Sequence, residues 1–422
     1  MSRTVTGLAP SRTTLDNGVV VLAKEASTTP AVTINFAMRA GSIHDPAGAT
    51  GAMYLLSRVI DRGTTTRSAD EIAGELDSRG IALATAVTRH AFSVACTCLA
   101  EDFDAVFALL GDILMSPSIP ETELATRKGE VITAIRQDED NPAMRASEAL
   151  MALLYPDHPY GRPTKGTVDV VETLTRERLL RLHEESFAPA GLTVVVVGDV
   201  APSRAADAAA RAFAPWRKPQ PAPIEVAHIQ PAAERRRVVI PMMNKAQADV
   251  AYGFTTIARS DPSYYAFWLM NNALGQYAIG GRLGDSIRER QGMAYYVSSA
   301  FDANVVEGPL VVRAGVSPQN VDRAIASIDE ELVRLTRDGL TEKELTESRQ
   351  YLIGSMPRRL ETNDGIAQFL QMVEFFGLGL DYDVRLPLLL GAVTLDDTLA
   401  AARRVLHPER ATVVIAGPYQ YQ

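Results

Sequence analysis

Leu192-Thr193-Val194-Val195-Val196-Val197-Gly198-Asp199 returns later in the chain as Ala411-Thr412-Val413-Val414-Ile415-Ala416-Gly417-Pro418, with glycine 417 standing 219 positions after glycine 198. Each copy reads as a strand that stops at a glycine. A second pair of segments repeats at almost the same spacing. Ile119-Pro120-Glu121-Thr122-Glu123-Leu124 matches Leu340-Thr341-Glu342-Lys343-Glu344-Leu345 at an offset of 221. Two independent matches at nearly one spacing predict a duplicated chain of two similar domains, and 422 residues is too long for one ordinary core. Between the copies lies PWRKPQPAPIEVAHIQPAAE, residues 215–234, whose five prolines and lack of helical period suit an extended connector. The expected division is therefore 1–214, a linker at 215–234, and 235–422.

Working outward from the repeated strand, the first half shows strands near 13–24, 31–39, 81–87, 91–98 and 191–198. Its helices fall near 50–61, 68–79, 103–115, 121–138 and 174–186. The second half repeats the order with strands near 247–254, 294–302, 308–315 and 411–416. Strands and helices grouped in this way predict the α+β class: two homologous domains, each a mixed, mainly antiparallel sheet with helices packed on one face.

Composition narrows the function. A net charge of −9 with no long basic stripe argues against a nucleic-acid role, and the short Arg235-Arg236-Arg237 reads as a flank of the linker. Hydrophobic residues make up 46% and charged residues 22%, yet no apolar run approaches the ~20 residues of a membrane span, so a soluble globular protein is expected. Cys96 and Cys98 alternate along a strand and share a face, which suits a reduced core better than a disulfide or metal clip. The start, MSRTVTGLAPSRTTLDNG, lacks the apolar centre of a secretion signal. The default expectation is a cytoplasmic protein, or a periplasmic one if a signal has been removed.

The segment from Gly280 to Val297, GGRLGDSIRERQGMAYYV, carries the most chemistry. It reads as a turn at Gly280 and Gly281, an amphipathic helix bearing Arg288, a stop at Gly292, and a strand opening with Tyr295. Arginine and tyrosine near the ends of consecutive elements can aim at one point and polarise a substrate carbonyl. Neither is a base near neutral pH, so neither activates water. The plain alternative is a surface Arg288 paired with Asp285 or Glu289, and a Tyr295 half in the core. Tyr296 faces the opposite side of the strand. The six histidines, His44, His90, His158, His183, His228 and His407, include no pair at the three-to-five spacing of a helical metal site. His183-Glu184-Glu185 is the nearest approach to a ligand cluster and reads as an ordinary polar helix face.

Several segments, in order, resemble one family. They are Thr14-Leu15-Asp16-Asn17-Gly18 before a strand, Gly63-Thr64 after a helix, His158-Pro159-Tyr160-Gly161-Arg162-Pro163, Gly166-Thr167 and Val197-Gly198-Asp199. Together they resemble the M16 peptidases, the pitrilysin-like or insulinase-like zinc metallopeptidases, which include mitochondrial processing peptidases and core proteins of the respiratory bc1 complex. The resemblance spans nearly the whole chain and implies the M16 peptidase, or LuxS-like, fold. In that family an HxxEH helix and a later glutamate hold zinc. Two imidazoles one turn apart grip the metal, and the glutamate between them deprotonates its water. Here the matching positions hold Tyr54, Ser57 and Arg58, with Ala134 at the later ligand position. The resemblance thus implies a degenerate zinc site and no metal bound by this chain. An asparagine usual in the family's cleft-lining strand is also replaced, by Ala84.

Arg288 and Tyr295, by contrast, stand where the family carries an arginine and tyrosine that reach a zinc site. The resemblance therefore implies the non-zinc subunit of a heterodimeric peptidase. An HxxEH-bearing partner would carry the zinc, and peptides would be cut in a closed chamber. In that reading Tyr295 stabilises the oxyanion and Arg288 holds a substrate carbonyl or carboxylate. The rival expectation is a catalytically inert assembly subunit like the core proteins. An autonomous zinc peptidase is disfavoured by the missing ligands.

Overall fold

In the computed structural model, residues 7–222, 224–276 and 281–420 are described. They form two sheets. The first contains β1 (Ser11–Thr14), β2 (Val20–Glu25), β3 (Ala31–Met38), β4 (Ala84–Val87), β5 (Phe92–Leu99) and β6 (Leu192–Gly198), in the order β1-β2-β6-β3-β5-β4. The second contains β7 (Arg236–Pro241), β8 (Ala248–Thr255), β9 (Ala294–Phe301), β10 (Pro309–Val316) and β11 (Thr412–Gly417), in the order β7-β11-β8-β10-β9.

With the β1 hairpin strand set aside, the two orders are the same. Even the single parallel pair recurs, β2 with β6 and β7 with β11, while all other neighbours are antiparallel. Gly198 and Gly417 end the equivalent strands with φ of 142° and 138°. The duplication read from sequence is thus a duplication of topology.

The run Val194–Val197 lacks the alternation of a half-exposed strand, and all four valines are buried. Such a strand needs apolar cover on both faces. On one face Val194 and Val196 join the main core with Ile34, Phe36, Phe107 and Phe213. On the other, Leu22, Val195 and Val197 meet Ile366, Ala367 and Leu370 of the helix Asn363–Phe375. That helix comes from the second half of the chain. Each fully buried Leu or Ile there contributes about 1.5–3 kcal/mol. Polar contacts fix its seat: Asn35 Nδ2 donates to Gln371 Oε1 at 2.6 Å, and Asn363 Nδ2 donates to the Ala31 carbonyl at 3.1 Å.

The exchange is reciprocal. The helix Pro142–Leu154, from the first half, packs on β8 and β11 of the second sheet. Gly253 on β8 permits this approach, because a Cβ there would lie 2.9 Å from Leu150 Cδ2. Both lent helices are 13 residues long and start 221 positions apart, so they too are copies of each other. Packing therefore groups residues up to Arg136 with Pro163–Glu225 and Pro357–Val384 in one unit. Gln137–Arg162, Val226–Met356 and residues from Arg385 onward form the other.

Other local outcomes differ from the sequence reading. The strand expected over 13–24 is broken by a turn in which the Gly18 N–H donates to the Leu15 carbonyl, yielding the β1–β2 hairpin. The three arginines are not a linker flank. Arg236 and Arg237 open β7, which takes a sheet edge, and the half-buried arginines are paired: Arg235, just before the strand, with Asp329 at 2.9 Å, and Arg237 with Asp322 at 2.6 Å. Cys96 and Cys98 are buried on one face of β5, where burial pushes their thiols up to about 12 and about 11. No helix among the described residues is long and apolar enough to cross a membrane.

His183 is not on a polar face. Its ring is buried, and Nε2 donates to the Leu114 carbonyl at 2.8 Å, at the end of the helix Phe103–Met115. Burial lowers its pKa to about 4, with Lys218 adding to the shift and the Leu114 bond and Glu184 opposing it. The unfolded chain binds this proton near pH 6.5 while the folded chain resists it, so stability falls as pH drops from 6.5 towards 4. In urea unfolding, the wild type loses roughly 2 kcal/mol more than His183→Gln between pH 7 and pH 5. Equal losses would remove His183 as the cause.

Candidate functional site

In the first unit, the helix Ala52–Val59 presents the positions at which the resemblance expects zinc ligands. Tyr54 is half-buried and packs against the core. Ser57 is buried, and its hydroxyl donates to the Tyr54 carbonyl at 2.7 Å, one helical turn back. Arg58 is exposed, and Ala134 is half-buried on the helix Glu121–Glu139. A methyl, an arginine and an inward-bonded serine supply no metal ligand, and a lone tyrosine does not make a site. Among the described residues no group of three or more His, Cys, Asp or Glu is placed to hold a metal ion.

The nearby charges oppose a cation as well. Asp61 lies one turn beyond Arg58 and is raised above the usual carboxylate range by burial. Arg62, Arg58 and Arg127 partly counter that shift. Arg62 approaches it at 3.3 Å. Arg127 also pairs with Glu130 and, at 3.7 Å, with Glu123. Three guanidiniums thus act on Asp61, the carboxylate that follows this helix. Asp61 and Arg127 were not singled out from the sequence, because their meeting depends on two helices 60 residues apart.

In the second unit the segment around Arg288 is helical, as expected, but of the wider π type over Gly284–Arg290. A π segment has no distinct residue pattern, and such segments are frequent at functional sites. Buried Leu283 and Ile287 fix one side of it, and Arg282 anchors its start to Glu344 at 2.6 Å and to the Gly339 carbonyl at 2.7 Å. Arg290 takes Asp285 at 2.9 Å. Among the described residues Arg288 has only a loose approach to Glu289 at 3.6 Å, and both side chains are well exposed. Gly292, at φ 60°, ends the segment, its N–H bonding the Arg288 carbonyl. Gly281 is described, whereas Gly280 lies outside the described residues.

The chain then enters β9 at Ala294, where the strand expected near 294–302 begins. β9 is an edge of its sheet and pairs with β10. Ala294 opposes Val316 and Tyr296 opposes Gly315, so Tyr295 is the extra residue of a β-bulge. Bulges re-aim side chains and are common next to active sites. Tyr295 is 66% exposed, and its hydroxyl has no hydrogen-bond partner among the described residues. Tyr296 turns away from it and donates to Asp249 Oδ1 on β8, a buried carboxylate that also accepts from Gln247 Nε2 at 3.2 Å. Burial and the Asp249 bond push the Tyr296 phenol upward.

The structure therefore places Arg288 and Tyr295 on consecutive, mutually packed elements, both exposed and neither consumed by a strong internal bond. The half-in-core alternative for Tyr295 does not hold, because the bulge rotates it outward. Ala84 begins β4, the corresponding edge of the first sheet, and offers only a methyl group.

Comparison with known proteins agrees with this architecture. Residues 20–168 match the family described as Insulinase (Peptidase family M16), and residues 173–352 match Peptidase M16 inactive domain. An uncharacterized zinc protease of Streptomyces coelicolor is 27% identical over 417 residues, covering 96% of this chain and 89% of that protein. One from Mycobacterium tuberculosis is 25% identical over 424 residues, covering 98% and 94%. Among solved structures, a peptidase M16 inactive domain from Pseudomonas fluorescens superposes with a TM-score of 0.91 at 24% identity, covering 98% of this chain and 99% of that one. A protease from Helicobacter pylori gives 0.90 at 17%, covering 96% and 99%. These structural matches carry the fold, and the sequence matches extend over both halves of the duplication. The chain belongs to the M16 peptidase family.

Proposed function

We propose that this chain is the non-zinc-binding subunit of a two-chain M16 peptidase, and that it lends Arg288 and Tyr295 to a zinc site held by an HxxEH-bearing partner. The observation that carries the reading is the contrast between the two units. Tyr54, Ser57, Arg58 and Ala134 do not make up a metal-ligand set, while Tyr295 stands on a bulge with a hydroxyl that has no partner among the described residues. A phenol with no internal partner can donate to an oxyanion without first giving up another bond.

In this reading the partner's metal supplies the activated water. Tyr295 donates a hydrogen bond to the carbonyl oxygen as the carbonyl carbon becomes tetrahedral and the oxygen takes on negative charge, and the phenol stays neutral. Arg288 pairs with a backbone carbonyl or a carboxylate of the peptide. The open edge of β9 is suited to take an extended peptide backbone, which makes sequence preference loose and favours unfolded peptides.

Reconstitution with the HxxEH subunit tests the assignment. Loss of one oxyanion donor costs about 3 kcal/mol, so Tyr295→Phe lowers kcat roughly a hundredfold. Arg288→Ala acts mainly on substrate binding and lowers kcat/KM by roughly tenfold or more. Unchanged turnover in both variants contradicts the catalytic role, and a stable complex that cleaves no peptide under any metal condition points to an assembly subunit. Elemental analysis provides a separate check on the isolated chain. Its zinc content stays well below one per chain after dialysis, and one tightly held zinc per chain overturns the reading of the first unit.

A further inference from the structure

We propose that Tyr296, through its bond to Asp249 across Gly315, is a positioning residue that fixes the direction of the Tyr295 hydroxyl. This rests on the catalytic reading of Tyr295 and deepens it. Tyr296, Gly315 and Asp249 occupy one row across three neighbouring strands, since Tyr296 opposes Gly315 on β10 and Gly315 opposes Asp249 on β8. Adjacent strands are about 4.8 Å apart, so the phenol must span two of these steps to reach the carboxylate. It does so by lying over the one residue in the row that has no side chain. A Cβ on Gly315 would come 2.4 Å from Tyr296 Cε1, so any other residue there would displace the ring.

The location of this lock matters because of the bulge. A bulged residue lacks its full ladder of backbone bonds, and the bulge loosens the strand locally. Tyr295 is that residue, and β9 is an edge strand, so only one side of the strand is held by a neighbour. The residue immediately after it carries a side-chain bond to a carboxylate that is 2% exposed. Asp249 is further steadied by Gln247. The edge strand is thus pinned to the sheet interior one position beyond the point where it leaves regular pairing. A rotation at Tyr296 would carry Tyr295 with it, and a hydroxyl displaced by a fraction of an ångström no longer meets a developing oxyanion.

Peptide cleavage by the complex with the HxxEH subunit, on an internally quenched fluorescent peptide, tests this with four variants. Tyr296→Phe, which keeps the ring and removes only the bond, lowers kcat roughly ten- to a hundredfold and leaves KM nearly unchanged. Asp249→Asn, which keeps an oxygen acceptor, retains most of the wild-type kcat. Combining Tyr296→Phe with Tyr295→Phe gives no loss beyond that of Tyr295→Phe alone, because the two act through one hydroxyl. The proposal is overturned if Tyr296→Phe turns over like the wild type. It is equally overturned if Tyr296→Phe costs the same factor in the Tyr295→Phe background, which marks a structural effect independent of Tyr295. If Tyr295→Phe itself retains full turnover, the catalytic reading fails and the positioning role fails with it.

Discussion

The interaction on which the rest of the structure depends is the burial of the two central strands on both faces. β6 and β11 carry buried apolar side chains in succession, and each is packed by a helix from the other half of the chain. Cover comes from the other half, through Asn363–Phe375 for β6 and Pro142–Leu154 for β11. Neither sheet can be completed until both halves have been made. Two domains that look separable along the chain are therefore coupled in folding, which gives the duplication its structural logic.

From that constraint follows the site. With β11 and β8 held at the centre of the second sheet, β10 and then β9 are added outward, and β9 becomes an edge. An edge strand tolerates a bulge and offers backbone groups to a ligand, whereas a central strand does neither cheaply. The first sheet has the same order, and its equivalent edge is β4, which starts at Ala84. The copies have diverged in chemistry on a common frame. The first unit gathers Arg58, Arg62 and Arg127 about Asp61, and the second presents an exposed phenol and a guanidinium held only loosely by Glu289 among the described residues.

Much of this was legible in the sequence because it rested on identity and period. The repeated valine-rich strand, the repeated Glu-containing helix start and the positions of most strands needed no tertiary information. The helix exchange was not legible, because an apolar helix face does not declare which sheet it will meet. The unbroken Val194–Val197 run was its one trace, since such a run requires two-sided cover. β7 was hidden by its arginines, because the partner that meets Arg237, Asp322, lies far along the chain. His183 looked polar beside Glu184 and Glu185, and only the Leu114 carbonyl explains its burial. The bulge at Tyr295 escaped a period-two reading because an extra residue leaves no mark in composition. An aspartate within the otherwise apolar β8 and a glycine in β10 were the available hints of the Tyr296 lock.

The central claim is that this chain completes an active site it does not itself contain. The most direct measurement is a titration of this chain into a fixed amount of the HxxEH subunit, with peptide cleavage followed at saturating zinc. The account predicts negligible turnover by either chain alone and a rise that breaks sharply at one chain per partner. Equal turnover by the partner with and without this chain would contradict it.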